Sequence, residues 1–146
     1  MQPRIDFYTA SPNAMKAMLA LEAAVSQLPL EQSLIELVKL RASQINGCAF
    51  CVDLHSQDAL KHGETQRRLF AVSVWRESPC FTPRERAALA WTEALTRLSE
   101  THAPDGDYQL LTSQFSPAEC VDLSVAISTI NSWNRLAVGF RKLPEA

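Results

Sequence analysis

The 146-residue sequence predicts an all-α protein, a bundle of about six or seven helices. Alanine and leucine, which favour helices, make up about a quarter of the chain, whereas only 4 residues are glycine. No segment combines alternating polar and apolar residues with hairpin turns, the pattern typical of half-buried strands. Hydrophobic residues account for 47% and charged residues for 21% of the chain, the composition of a folded globule. A chain of this length fits one domain over residues 1–146.

Four segments carry residues that start helices. Ser11-Pro12 combines a capping hydroxyl with a proline, and Leu28-Pro29-Leu30-Glu31 places glutamate after proline without a hydroxyl. Thr82-Pro83-Arg84-Glu85 and Ser116-Pro117-Ala118-Glu119 are complete, because each has a capping hydroxyl, proline at the first helical position and glutamate three residues after the cap. We expect a helix to begin at each of the four segments.

Residues 35–63 predict two helices joined by a tight turn. Asn46 and Gly47 both tolerate the left-handed conformation that ends a helix, so the first helix should end there. The second helix should begin near Cys48 and end at His62-Gly63, where a cationic or polar side chain suits the negative end of the helix dipole.

The second half of the chain predicts two long helices and a loop. The helix that starts at Pro83 carries an apolar stripe at Ala88, Trp91, Leu95 and Leu98. Residues 117–138 have few charges and carry Leu123, Ile127, Ile130 and Trp133, which predicts a central helix covered on most sides. Residues 101–107 predict a loop, because Pro104 and Gly106 interrupt helices. A helix as apolar as 117–138 also predicts a homo-oligomer, because a small monomer covers such a surface poorly.

The charge balance argues against two classes of partner. A net charge of −2 and a pI near 5.9 leave no cationic excess for nucleic acid or an anionic membrane. The amino-terminal residues lack a cationic and then apolar leader. The most apolar later stretch contains Glu119 and Asp122 and is shorter than the ~20 residues of a membrane span. We therefore expect a cytoplasmic protein without nucleic-acid or membrane partners.

The residues with reactive side chains are concentrated at the start of the helix that is predicted to begin near Cys48. Cys48 and Cys51 lie three residues apart, and Cys51 and His55 lie four apart, so one helix face carries all three side chains. The free N–H groups and positive dipole at a helix start favour thiolate and lower the cysteine pKa below about 8.5. The two cysteines can form a disulfide, and His55 can take the proton from the Cys51 thiol.

Glu36 on the preceding helix can complete this group. If the two helices are antiparallel, Glu36 lies ~15 Å and His55 ~10 Å from the turn, at ~1.5 Å per residue, so the carboxylate can approach the imidazole. The alternative is a solvated Glu36 that forms a surface ion pair with Lys39 or Arg41.

Zinc is the main alternative for a CxxC pair. A structural zinc site needs four ligands, and the remaining histidines, His62 and His102, do not form a second pair. Cys80 and Cys120 are isolated and are expected to be small buried or half-buried apolar residues. The sequence therefore predicts a redox pair and no metal or other cofactor.

Glu36, the Cys48-Ala-Phe-Cys51 segment and His55 together resemble the core of the alkyl hydroperoxidase D-like proteins of the carboxymuconolactone decarboxylase family. The segments TPRERAALAWTEALT and INSWNRLAV are also similar to single-domain members, and the resemblance covers roughly residues 15–140. It implies an all-helical fold, assembly into trimers or hexamers and reduction of an organic hydroperoxide. The reductant would be a dithiol of the lipoyl or thioredoxin type.

The resemblance also implies a role for each residue. Cys51 would attack the peroxide, Cys48 would resolve the product into a disulfide, His55 would be the base on Cys51 and Glu36 would complete the proton relay. One departure is Phe50, where the better-established members have a histidine that can relay a proton. Two alternatives remain: a lactone decarboxylase that uses His55 or Glu36 as acid or base, and a non-enzymatic redox-sensing or metal-binding module.

Overall fold

The computed structural model describes residues 1–145, which form helices and connecting turns without a β-strand. The helices are α1 (Phe7–Ala10), α2 (Pro12–Val25), α3 (Gln32–Asn46), α4 (Ala49–Lys61), α5 (Gln66–Ala71), α6 (Pro83–Thr96), α7 (Leu98–Thr101), α8 (Asp105–Thr112) and α9 (Pro117–Phe140). Residues Val72–Val74 form a 3-10 turn. The all-α prediction is confirmed. The described residues form nine α-helices, more than the predicted six or seven, because α1, α5 and α7 are too short to show periodicity in the sequence.

Three of the four predicted helix starts are confirmed at the predicted proline. α2 begins at Pro12, α6 at Pro83 and α9 at Pro117. In α6 the Glu85 N–H donates to the Thr82 hydroxyl at 3.2 Å, and the Thr82 N–H donates to the Glu85 carboxylate at 2.8 Å. The same reciprocal pair precedes α9. Local capping chemistry therefore determines where α6 and α9 begin.

The helix start predicted at Leu28-Pro29-Leu30-Glu31 lies later in the structure. α3 begins at Gln32, and its N-cap is Glu31. Residues 28–30 form a turn in which the Leu28 N–H donates to the Val25 carbonyl and the Leu30 N–H to the Leu28 carbonyl. Leu28 has no side-chain oxygen to cap a helix at Pro29, so the chain completes this turn first.

The predicted loop over residues 101–107 is shorter in the structure. α8 begins at Asp105, so Asp105 and Asp107 lie in its first turn, where the helix dipole favours acidic residues. His102 and Ala103 both have positive φ angles and separate α8 from α7. The true connection is therefore three residues long.

The helices α3 and α9 form the centre of the bundle. α3 packs against α4, α6 and α9, and α9 also contacts α2, α4, α6 and α8. Most buried members of the central cluster come from α3, α6 and α9, among them Leu34, Val38, Ala88, Trp91, Leu123 and Ile127. Leu98 departs from the predicted stripe and is 51% exposed, because α6 ends at Thr96.

The prediction that α9 is central is confirmed, but this chain covers the helix on its inner side and not on most sides. Leu123, Ile127 and Ile130 are buried, whereas Val121 and Val125 on the outer side are exposed. Within residues 1–145, no helix combines the length and the apolar character that crossing a bilayer requires.

Candidate active site

The turn between α3 and α4 positions the two cysteines. Gly47 ends α3 in the left-handed conformation, with φ of 66°, as the sequence predicts. Cys48 then caps α4, and its Sγ accepts the Cys51 N–H at 3.3 Å. Cys51 therefore lies in the first turn of α4, close to the positive end of the helix dipole.

Cys48 and Cys51 form a disulfide. Their Cα atoms are 5.3 Å apart, within the range that disulfides span. The pair packs against Ala42, Ile130 and Ala137, and both cysteines are buried. Cys51 contributes to the wall of a cavity, whereas Cys48 is not among the residues that line it.

His55 and Glu36 lie together, as the antiparallel arrangement of α3 and α4 predicts. His55 Nδ1 is 2.9 Å from Glu36 Oε2, and both side chains are buried. The other carboxylate oxygen of Glu36 accepts a hydrogen bond from Gln32 Nε2 at 2.8 Å. Lys39 pairs instead with Glu22, and Arg41 with Glu93. The surface ion-pair interpretation of Glu36 is therefore wrong.

The Glu36 contact favours one tautomer of a neutral imidazole. A carboxylate accepts hydrogen bonds and donates none, so a hydrogen bond between the two groups requires the hydrogen on His55 Nδ1. Nε2 then presents its lone pair and can take a proton. A carboxylate that orients an imidazole in this way is the arrangement found at many acid–base and metal sites.

These side chains share one cavity of about 460 Å³. Cys51, His55 and Glu36 lie in its wall together with two further polar residues, Asp58 on α4 and His62 at the C-cap of that helix. The apolar and aromatic part of the wall comes from α4 and from segments distant in the chain: Phe50, Leu54, Phe7, Tyr8, Leu19, Ile130, Trp133 and Ala137. Glu22, Ser26, Gln32 and Lys39 add polar groups. Lys142 also lines it. The size and lining are those of a small-molecule pocket.

Sequence reasoning missed the contributions of α1, α2 and the residues after α9. Glu22 accepts hydrogen bonds from Lys39 Nζ and from Trp133 Nε1, the latter at 3.0 Å. Lys142 lies over the rings of Phe50 and Tyr8. These residues are far apart in the chain and carry no shared motif, so no local signal joins them to the site.

One group in this cavity has the donors for a metal ion. Glu36, His55 and Asp58 each offer a ligand atom, and these atoms lie within 4.8 Å of one another. Three protein ligands with an open position suit a catalytic more than a structural ion. Asp58 was not predicted, although its spacing of three residues from His55 places it on the same helix face. The predicted zinc alternative of Cys48, Cys51 and His55 differs, because the cysteines are bonded to each other.

An amide network fixes the end of α3 against α9. Asn46 Nδ2 donates to the side-chain oxygens of Asn131 and Asn134, each at 2.9 Å. Asn134 Nδ2 donates in turn to Ser43 Oγ at 3.0 Å. Because Asn46 immediately precedes the turn that carries Cys48, the network holds that turn on the bundle.

The chain matches the model of the carboxymuconolactone decarboxylase family over residues 7–94. It is also similar to YdfG, an uncharacterized protein of Bacillus subtilis (strain 168). The two are 38% identical over 138 residues, which cover 94% of each chain.

Several solved structures share this fold, including the following two. A protein of Agrobacterium tumefaciens, described as being of unknown function and as a candidate antioxidant defence protein AhpD, has a TM-score of 0.97 and 48% identity over 99% of each chain. An uncharacterized peroxidase-related protein of Silicibacter sp. TM1040 has a TM-score of 0.83 and 21% identity, over 95% of this chain and 74% of that one. At the lower identity the likeness concerns the fold alone.

Proposed function

The chain belongs to the carboxymuconolactone decarboxylase family, and we propose that it is a cysteine-based peroxidase that reduces organic hydroperoxides. The observation that carries the proposal is the 2.9 Å contact between His55 Nδ1 and Glu36 Oε2 in the wall of the cavity that also contains Cys51. An oriented imidazole beside a cysteine at a helix start is an arrangement that activates thiols.

In the proposed reaction, the reduced enzyme begins with two thiols. His55 Nε2 takes the proton of the Cys51 thiol, and the thiolate attacks the terminal peroxide oxygen. The O–O bond breaks, Cys51 becomes a sulfenic acid, and the departing alkoxide takes the proton from His55 and leaves as an alcohol. The Cys48 thiol then attacks the Cys51 sulfur, which expels water and forms the disulfide. Glu36 holds the imidazole and stabilises its protonated form.

An external dithiol completes the cycle. Two sulfhydryl groups of one reductant, of the lipoyl or thioredoxin type, exchange with the Cys48–Cys51 disulfide and leave as a disulfide. The sum is one hydroperoxide and one dithiol converted to one alcohol, one water and one disulfide. Phe50 cannot relay a proton, so in this proposal all proton transfer at Cys51 passes through His55.

A thiol count with peptide mass analysis tests the proposal. The reduced protein is treated with cumene hydroperoxide, and we expect the loss of two thiols per chain and of two hydrogens from the peptide 42–61. Cys51→Ser should abolish peroxide reduction, whereas Cys48→Ser should leave Cys51 as a sulfenic acid. Cys120→Ser is the matched control and should leave peroxide reduction unchanged. Burial, and then the charge of Glu119, raise the pKa of the Cys120 thiol, which disfavours the reactive thiolate. Steady-state consumption should require a dithiol, with dihydrolipoamide, thioredoxin and dithiothreitol compared.

Different outcomes identify the alternatives. A sulfinic Cys51 beside a free Cys48 contradicts the resolving role, and thiols that survive peroxide contradict the peroxidase. A lactone decarboxylase would retain activity in the double Cys48→Ser, Cys51→Ser variant. Metal in the freshly purified protein that is lost in Asp58→Asn would favour a metal centre at Glu36, His55 and Asp58.

A further inference from the structure

Lys142 lies just beyond the carboxyl end of α9 and holds its ammonium over three aromatic rings. The Nζ atom is 4.6 Å from the ring centroid of Phe50, 4.7 Å from that of Tyr8 and 5.6 Å from that of Phe7. Contacts of this kind attract a cation through the negative face of each ring. The side chain is half-buried and lines the cavity that contains Cys51.

The other charges around this cavity already have partners. Glu22 accepts from both Lys39 and Trp133, Glu36 accepts from His55, and Asp58 pairs with Lys61. Within residues 1–145, Lys142 forms no ion pair with a carboxylate. The cavity therefore offers a cation that, among the described residues, forms no ion pair with an acidic side chain.

The surroundings of this cation are suited to an apolar body. Leu19, Leu54, Ile130 and Ala137 line the same cavity, beside the rings that contact Lys142. Phe50 immediately precedes Cys51, so the ammonium lies beside the part of the wall that carries the cysteine. A volume of about 460 Å³ accommodates a small organic molecule.

We propose that the cavity binds an organic carboxylate with an alkyl or aryl body, and that Lys142 binds the carboxylate. The proposal that such an anion binds is argued from the residues of the cavity alone and does not depend on the proposed function. Its further consequence rests on the proposed function: the hydroperoxide substrate is itself a carboxylate, held at Lys142 with its peroxide group at Cys51. Lys142 is then a specificity-determining residue, and the redox step is unchanged.

Calorimetric titration of the disulfide form tests binding without turnover. The probes are octanoate and octan-1-ol, which share an alkyl body and differ in charge. We expect octanoate to bind about fivefold more tightly at low salt, the effect of one partly exposed ion pair, with a smaller preference at high salt. Lys142→Met keeps an apolar side chain on the rings and should remove the preference, and Lys142→Arg should retain it. Lys16→Met is the matched control, because Lys16 is exposed on α2 outside the cavity.

Equal affinity of the wild-type protein for the two probes overturns the proposal, as does a preference that survives Lys142→Met. Because the disulfide form cannot reduce a peroxide, a protein that binds octanoate selectively but consumes no hydroperoxide contradicts only the proposed function. For the substrate consequence, kcat/KM is compared for a carboxylate hydroperoxide and its methyl ester. We expect a lower kcat/KM for the ester, through a higher KM. Equal kcat/KM values for the two substrates would overturn this consequence and leave the proposed peroxidase activity untouched.

Discussion

A carboxylate loses its hydration when it is buried, and hydrogen bonds must replace that hydration. Glu36 is 3% exposed on α3, and its two oxygens accept from His55 and Gln32. Replacement of an acid by its amide keeps the size and the helix propensity of the side chain but removes its charge. The charge of Glu36 can therefore be tested apart from its packing.

Glu36→Gln should lower the rate of Cys51 oxidation by about tenfold to a hundredfold, because a neutral amide stabilises a protonated imidazole less than a carboxylate does. The free energy of unfolding should change by only about 1 kcal/mol, since the hydrogen bonds can be retained. The measurement is the rate of thiol loss with cumene hydroperoxide over pH 6 to 8. Glu31→Gln, at the exposed N-cap of the same helix, is the control. Equal rates in wild type and Glu36→Gln would exclude a relay through Glu36.

At the scale of the elements, Glu93 joins three parts of the bundle. This α6 side chain accepts from Arg41 on α3 at 2.8 Å, and from Trp75 Nε1 and Arg76 after α5, each at 2.9 Å. Burial raises the pKa of the Glu93 carboxyl, but hydrogen bonds from Trp75, Arg76 and Arg41 outweigh burial and hold it below the ordinary value of 4.5. The ionised carboxylate is thus favoured in the folded protein.

A depressed pKa in the folded state gives a defined pH dependence. The stability that Glu93 contributes is fully present above pH 4.5 and is lost as the pH falls through the lower folded value. Glu93→Gln should reduce the free energy of unfolding by about 2 kcal/mol at neutral pH. The difference in free energy of unfolding between wild type and variant should become smaller as the pH falls below 4.5, the ordinary pKa of the carboxyl group. Urea unfolding between pH 7 and 3 measures it, and Glu100→Gln, an exposed change on α7, should show neither effect. A difference that is constant with pH would contradict the argument.

At the scale of the whole molecule, local chemistry explains what the sequence predicts well. Capping residues within four positions determine the starts of α6 and α9, and Gly47 determines the end of α3. The contact of His55 with Glu36 follows from helix geometry and one antiparallel turn. The cavity wall does not, because Tyr8, Trp133 and Lys142 reach it only through packing of α1, α2 and α9 around the pair. Tertiary contacts of this kind have no local signature.

The outer surface of the bundle bears on assembly. Val121 and Val125 on α9 and Tyr108 on α8 are exposed and line one groove. Exposed apolar residues that lie together are typical of surfaces that another chain covers, and the family resemblance implies that the second chain is a copy of this one. The homo-oligomer therefore remains a prediction with a defined surface to test.

Light scattering at micromolar concentration should give a mass three or six times the 16.2 kDa of the chain. Val125→Glu should lower that mass, because a carboxylate in an apolar interface loses hydration without a partner. Val74→Glu is the matched control, since Val74 is equally apolar, is 60% exposed and lies in the 3-10 turn away from this groove. A mass near 16 kDa for the wild-type protein would contradict the oligomer. An unchanged oligomer in Val125→Glu would place the interface elsewhere, because an introduced charge within the contact cannot be neutral in energy.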